Sequence, residues 1–267
     1  MRVLLAAFLS LFAVAPGCTC SGTNRGDVNL VSLDDEWAMG RQLAAEVNAQ
    51  TTPLADPAVQ AYVDRMGQAL ADQTDYADRT WTFTVLADPA PNAFAIPGGH
   101  IYVNAGIVAA AETQDQLASV VAHEVAHGAA RHSTERMVKA HGLSLVAGLV
   151  LGDDPGFVRQ IVTEIAGQGA LARFSRADEE EADELGLGLM AEAGYDPDGM
   201  AAMFETMTDA QGDGPGRVLQ WFSTHPLGAD RVAAAREAAR TLDAEGDPAT
   251  SDGVFRDVRR SALARVR

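Results

Sequence analysis

Cysteine is nearly missing from this chain: 2 occur in 267 residues, Cys18 and Cys20. Cysteines separated by one residue rarely meet bridge geometry, and neither has a partner elsewhere, so a structural disulfide is not expected. Positive charge is scarce as well. The 20 Lys and Arg stand against 37 Asp and Glu, a formal net charge of -17. A nucleic-acid partner needs clustered cations that displace counterions, so this balance argues against one and serves solubility instead. Long apolar runs are absent too. Val3–Val14 and Gly142–Gly152 both fall short of the roughly 20 residues of a membrane-spanning helix. The remaining composition, 47% hydrophobic and 21% charged, suits a sizeable globular domain with a real core.

What is present begins with "MRVLLAAFLSLFAVAPGC". Arg2 is a short positive region, an apolar run follows, and small residues with Pro16 precede Cys18. That pattern reads as an export signal over 1–17. "APGC" resembles a bacterial lipobox, with Cys18 as the lipidated residue. Residues 18–32 are small and polar, a flexible tether. The expected location is therefore the periplasm, with a lipid anchor in the outer membrane.

The folded part is expected from Leu33. Ser32 is placed as an N-cap before acidic Asp34, Asp35 and Glu36, and Trp37, Met39, Leu43 and Val47 recur at helical spacing. Pro57 opens a second helix with Val59, Tyr62, Val63, Met66 and Leu70 on one stripe. The period then shortens to 2. "TWTFTVL" alternates, "NAFAI" continues extended, "PGG" turns, and "HIYVNAG" runs on, which predicts a small sheet containing a hairpin. His100 beside the turn reads as a surface strand residue.

"ETQDQLASVVAHEVAHGAARHSTERM" returns to helical spacing through Leu117, Val120, Val121 and Val125. On one helix His123 and His127 lie one turn apart and about 40° around the axis, so both imidazoles can approach one ion. Glu124 projects beside them, where it can deprotonate water without being a ligand. Two imidazoles without partners inside an apolar helix would be costly, which favours a metal over a pair of core histidines. A third ligand could be a nearby histidine or a carboxylate on a later helix. His132 follows without a glycine turn to bring it back and reads as a cap or surface residue, and His141 is similarly isolated. The better candidate lies in "FSRADEEEAD", where Ser175 caps a helix and Glu179 and Asp183 stand four apart on one face. Glu179 can supply the carboxylate and Asp183 can orient a ligand histidine. Glu180, Glu181 and Glu184 read as a solvated face. The apolar run Gly142–Gly152 reads as a buried helix, followed by another from Phe157 to Leu171.

Together, "NAFAIPGGHIYVNAG", "AHEVAHGAARHS", "FSRADEEEAD", "AGYDP" and "STHPLGADR" resemble, in order and over Leu33 to Arg236, the zinc metallopeptidases of peptidase family M48. The resemblance is to the soluble periplasmic branch of that family. It implies an α+β, mainly helical gluzincin-type domain over 33–245, with a hairpin edge strand beside the HExxH helix. Residues 246–267 are then a C-terminal tail, too short for a tetratricopeptide-repeat domain. It also implies one zinc ion per chain on His123, His127 and Glu179, Glu124 as base and proton shuttle, and Asp183 behind the ligands. Asn92, Ala93, Phe94, Ala95 and Ile96 would bind extended substrate by strand addition. His225 and Arg231 match a late "HPxxxxR" motif, where the histidine either steadies the oxyanion or occupies the water position in a latent state. The implied function is a zinc-dependent endopeptidase of the bacterial envelope acting on unfolded or misassembled envelope proteins. The alternative is an assembly or chaperone-like factor, in contact with envelope assembly machinery, whose zinc site is latent.

Overall fold

The computed structural model describes residues 29–143, 146, 148, 155–166, 173–209, 225–226 and 229–266. The expected export signal, the Cys18 lipidation site and the tether up to residue 28 lie outside them. So does most of the run Gly142–Gly152, within which Val146 is fully buried. Of the helix expected from Phe157 to Leu171, residues 167–171 likewise lie outside. Among the described residues no helix is long and apolar enough to cross a membrane.

The architecture is α+β and mainly helical, as expected. Helix α1 (Leu33–Gln50) starts where Ser32 Oγ accepts from the Asp35 N–H, and α2 (Pro57–Ala71) carries Pro at its start behind an Asp56 cap. Three strands follow: β1 (Thr82–Leu86), β2 (Ala93–Ile96) and β3 (His100–Asn104). They form one sheet in the order β1-β3-β2. β2 and β3 make the antiparallel hairpin, with Phe94 opposite Tyr102, around Gly98 and Gly99 at φ of 81° and 75°, values that favour glycine. β1 pairs with β3 in parallel.

The period-2 pattern splits the core in two. Phe83, Val85, Ala93, Ala95, Ile101 and Val103 enter the main cluster, while Leu86, Phe94, Ile96 and Tyr102 face a second one. Six of the remaining helices are α3 (Ala105–Ala110), α4 (Gln114–Ala129), α5 (His132–His141), α6 (Pro155–Ala166), α7 (Arg176–Glu192) and α8 (Asp198–Asp209). The last two described are α9 (Ala229–Ala239) and α10 (Asp252–Arg265). The second cluster is closed by α1, α5 and α6 through Met39, Leu43, Val47, Met137, Ile161 and Val162. The main cluster gathers α2, α4, α7 and α8. The segment expected as a tail holds α10, whose Phe255, Val258 and Ala262 are buried in that main cluster.

One expected helix is two. The chain stops being helical after Ala129 and resumes at His132, with Arg131 at φ 63°. A left-handed non-glycine residue costs about 1–2 kcal/mol, offset here by tertiary contacts. Arg131 Nε donates to Glu36 Oε2 and Nη2 to the Val31 carbonyl, each at 2.6 Å. This break decides where His132 goes.

α1 is also seated directly against the hairpin turn. A Cβ on Gly40 would stand 2.2 Å from the Pro97 carbonyl oxygen. Alanine is the better helix former by about 1 kcal/mol, yet Gly40→Ala is expected to lose about 1–3 kcal/mol through overpacking. A thermal melt reads this as a fall of several degrees; an unchanged midpoint would mean the turn retreats from α1 without cost.

Candidate metal centre

The site is built where α7 crosses α4. Thr113 caps α4, accepting from the Gln116 N–H, and the helix is buried on nearly every face. Gly186 lets α7 come close, since a Cβ there would already be 3.3 Å from the His123 backbone nitrogen. α7 begins in a capping box, with Ser175 Oγ accepting from Asp178 N and Asp178 Oδ2 accepting from Ser175 N. From that start Glu179 and Asp183 fall on the face turned to α4, 1% and 8% exposed.

His123 Nε2 and His127 Nε2 lie 3.0 Å apart. Glu179 Oε2 is 3.5 Å from the first and Oε1 is 3.5 Å from the second. His225 Nδ1 joins them, 3.2 Å from His123 Nε2 and 2.9 Å from Glu179 Oε1. One donor atom from each of these four buried residues lies within 4.8 Å of the others. Nitrogen lone pairs converging on a carboxylate repel one another unless a proton or cation stands among them. A tetrahedral ion with bonds of roughly 2.0–2.1 Å separates its ligands by about 3.3 Å, so the donor set fits a divalent ion of that size and softness.

The electrostatics agree with a cation site. Burial pushes the His123 ring down, but hydrogen bonds and charges of Asp183 and Glu179 outweigh it and hold the ring at about 9. His127 is driven well below the usual imidazole range, first by burial and then by the charge on His123. Burial raises Glu179, yet His225 and the other two rings bring it well below the carboxylate range. The pocket keeps an anionic oxygen ready and tolerates one positive charge.

The family model for peptidase family M48 matches residues 57–239. The chain belongs to peptidase family M48. It is 35% identical over 216 residues to the mitochondrial metalloendopeptidase OMA1 of Schizosaccharomyces pombe, covering 79% of this chain and 63% of that protein. It is 26% identical over 255 residues to the beta-barrel assembly-enhancing protease of Escherichia coli, covering 89% and 52%. The chain thus spans between half and two thirds of the length of these relatives. The family read from the motifs is borne out, and the metalloendopeptidase class agrees with these names.

Around this donor group the other expected residues take definite places. Asp183 Oδ1 is 3.0 Å from His123 Nδ1, so the ring turns its Nε2 to the donor group. Arg231 grips Asp183 in a fork, Nε to Oδ2 at 2.7 Å and Nη2 to Oδ1 at 2.8 Å. Its Nη1 lies 2.8 Å from Glu179 Oε2 and donates to the Pro226 carbonyl at 3.0 Å. Arg231 therefore ties α7 to the segment carrying His225. Glu124 is 0% exposed, and neither of its oxygens makes a hydrogen bond among the described residues; His225 Nε2 stands 3.3 Å from Oε1. A buried carboxylate left in that state is costly and suits a group that works on a bound molecule.

Of Asn92 to Ile96, Ala93–Ile96 form β2, one of the two edge strands of the sheet, and Asn92 directly precedes it. The Asn104 N–H donates to Asn92 O, so in the antiparallel alternation Ala93 and Ala95 direct their peptide groups away from β3. Ser133 Oγ donates to the Ala95 carbonyl, and Ala93 and Ala95 are only 0% and 5% exposed. The edge is covered in this conformation.

Three residues around the donor group escape the sequence reading. His132, expected as a cap or surface residue, is buried, its Nδ1 2.9 Å from His127 Nδ1. Glu181, expected on a solvated face, is half-buried with Oε2 3.5 Å from His132 Nε2. Phe174, just before the α7 cap, stacks on His127 at 3.9 Å between centroids and on His225 at 5.5 Å; an aromatic immediately before a capping box is its only signal in the sequence. His100 lies outside the donor group, its Nδ1 2.7 Å from Thr82 Oγ1 and its ring pushed down to about 4 by burial. His141 pairs with Glu164 at 3.4 Å.

Proposed function

We propose that this protein is a zinc-dependent endopeptidase of the bacterial cell envelope that cuts unfolded or misassembled envelope proteins. The observation that carries the reading is the convergence of His123, His127, Glu179 and His225 beside the buried carboxylate of Glu124. His123, His127 and Glu179 would hold the ion, one per chain. When bound, zinc polarises a peptide carbonyl and brings the pKa of a coordinated water to about 7. Glu124 takes the proton from the attacking water as its oxygen adds to the carbonyl carbon. As the C–N bond breaks, Glu124 passes that proton to the leaving amine. Asp183 keeps His123 oriented, and Arg231 holds Asp183 and Glu179 in place. Asn92 to Ile96 would receive an extended segment by strand addition, which demands little of its sequence.

The envelope setting rests on the export signal and Cys18, with the lipid anchor placing residues 33–245, the peptidase domain, at the periplasmic face of the outer membrane. The E. coli relative, by its name, enhances beta-barrel assembly, which supports barrel precursors as substrates and the assembly machinery as a partner. A second reading is favoured by one arrangement: His225 completes the donor set while Ala93 and Ala95 are buried. On that reading the protein binds such chains and seldom cuts them, the centre staying latent.

The test is metal removal. The protein, started at Ser21, is expected to cleave an unfolded model protein, to lose that activity under a zinc chelator, and to regain it with stoichiometric Zn2+. Cleavage that persists at undetectable metal content would sink the metallopeptidase reading. Full zinc occupancy without cleavage would favour the latent one.

A further inference from the structure

Both ring nitrogens of His127 are engaged. Nε2 faces the donor group, and Nδ1 meets Nδ1 of His132 at 2.9 Å. We propose that His132 is a positioning residue for the metal centre: it accepts the Nδ1 proton of His127 and so fixes that ring with its Nε2 lone pair toward the ion. The inference rests on the reading of His123, His127 and Glu179 as ligands.

Two imidazole nitrogens at that distance must share one proton. A histidine that gives its Nε2 lone pair to a cation keeps its proton on Nδ1. His132 therefore accepts through Nδ1 and carries its own proton on Nε2, the side where Glu181 Oε2 stands 3.5 Å away. The order Glu181, His132, His127 parallels the order Arg231, Asp183, His123 on the other ring. The two rings are held by different chemistry, His123 by a carboxylate and His127 by a neutral acceptor. The local backbone is bent to achieve this. Only the left-handed Arg131, clamped by Glu36 and the Val31 carbonyl, returns the chain so that a residue five positions after His127 reaches back to it. Phe174 packs against both rings, at 3.9 and 6.2 Å between centroids.

A packing role and a proton-accepting role separate by substitution in the full chain. Co2+ affinity is measured by chelator competition, together with the Co2+ visible spectrum and a circular-dichroism check of folding. His132→Phe keeps a ring and removes the acceptor; it is expected to weaken Co2+ binding about 10–100-fold and to alter the spectrum. His132→Asn, whose Oδ1 falls where Nδ1 stood, is expected to recover to within a few-fold of the wild type. His132→Gln, whose amide reaches the Nε2 position instead, is expected to be as weak as the Phe variant. If the Phe variant does not fold, the Asn and Gln pair decides. Phe or Gln variants binding as tightly as the wild type, or Asn and Gln binding alike, overturn the inference while leaving the metal centre standing. A folded wild type that binds no Co2+ overturns the metal-centre reading and the inference with it.

Discussion

Glu124→Gln is expected to lower cleavage of an unfolded protein by about 10²–10⁴-fold with metal content unchanged. The substitution is nearly isosteric on a helix interior, and glutamine and glutamate have similar helix propensities. Glu124 is 0% exposed and forms no hydrogen bond within the described residues; the contact that changes when the charge is removed is the one with His225 Nε2, 3.3 Å away. Stability is expected to hold or rise slightly, because a buried carboxylate is relieved. What is lost is the proton acceptor, since an amide oxygen cannot take a proton from water near neutral pH. The comparison is made at equal zinc by elemental analysis, reading initial rates on one unfolded substrate. A variant as fast as the wild type would remove Glu124 from the reaction. A variant that also lost its metal would make Glu124 a structural support of the centre.

Much of this centre was legible because its chemistry sits on local periods. The i, i+4 spacing fixes His123 over His127 and Glu179 beside Asp183 whatever the rest of the chain does, and Ser175 with Asp178 marks the start of α7 by composition alone. His132 was not legible, because its position depends on a left-handed Arg131 held by Glu36 and Val31 about a hundred residues away in sequence. No local signal announces that conformation in arginine. The same limit applies to the sheet. Alternation predicted strands at β1 and β3, but period 2 says which face is buried and nothing about the parallel pairing of Thr84 with Tyr102. α10 falls in the segment expected as a tail, though Phe255, Val258 and Ala262 recur at the spacing of one buried stripe. His225 entered through a motif, and only the fold brings it 2.9 Å from Glu179, 46 positions earlier.

His225→Ala is expected to raise the rate on an unfolded substrate about tenfold or more, measured at saturating zinc. A catalytic zinc site keeps three protein ligands and an open position; here a fourth donor, 1% exposed, fills the set. His225 Nδ1 contacts Glu179 and His123, while Nε2 stands 3.3 Å from Glu124 Oε1, so one ring obstructs both the ligand sphere and the base. The strand edge is covered at the same time, with Ala93 at 0% and Ala95 at 5% exposed. On the latent reading proposed above, both features belong to one closed arrangement that gives way before a substrate enters. A minor open state populated at roughly 0.1–10% leaves a gain of that order or larger to be released when the closing contact is removed. Zinc affinity should fall, since one donor is lost, which is why saturation is required. A rate lower by about 10²–10³ would instead put His225 on the developing oxyanion. An unchanged rate would leave the ring with no part in closing the site or in the reaction. The three outcomes differ in sign because the same nitrogen cannot both block the open position and serve a substrate that occupies it. In either case Arg231 holds the surroundings of that ring, with its hydrogen bonds to the Pro226 carbonyl next to His225 and to Asp183 behind His123.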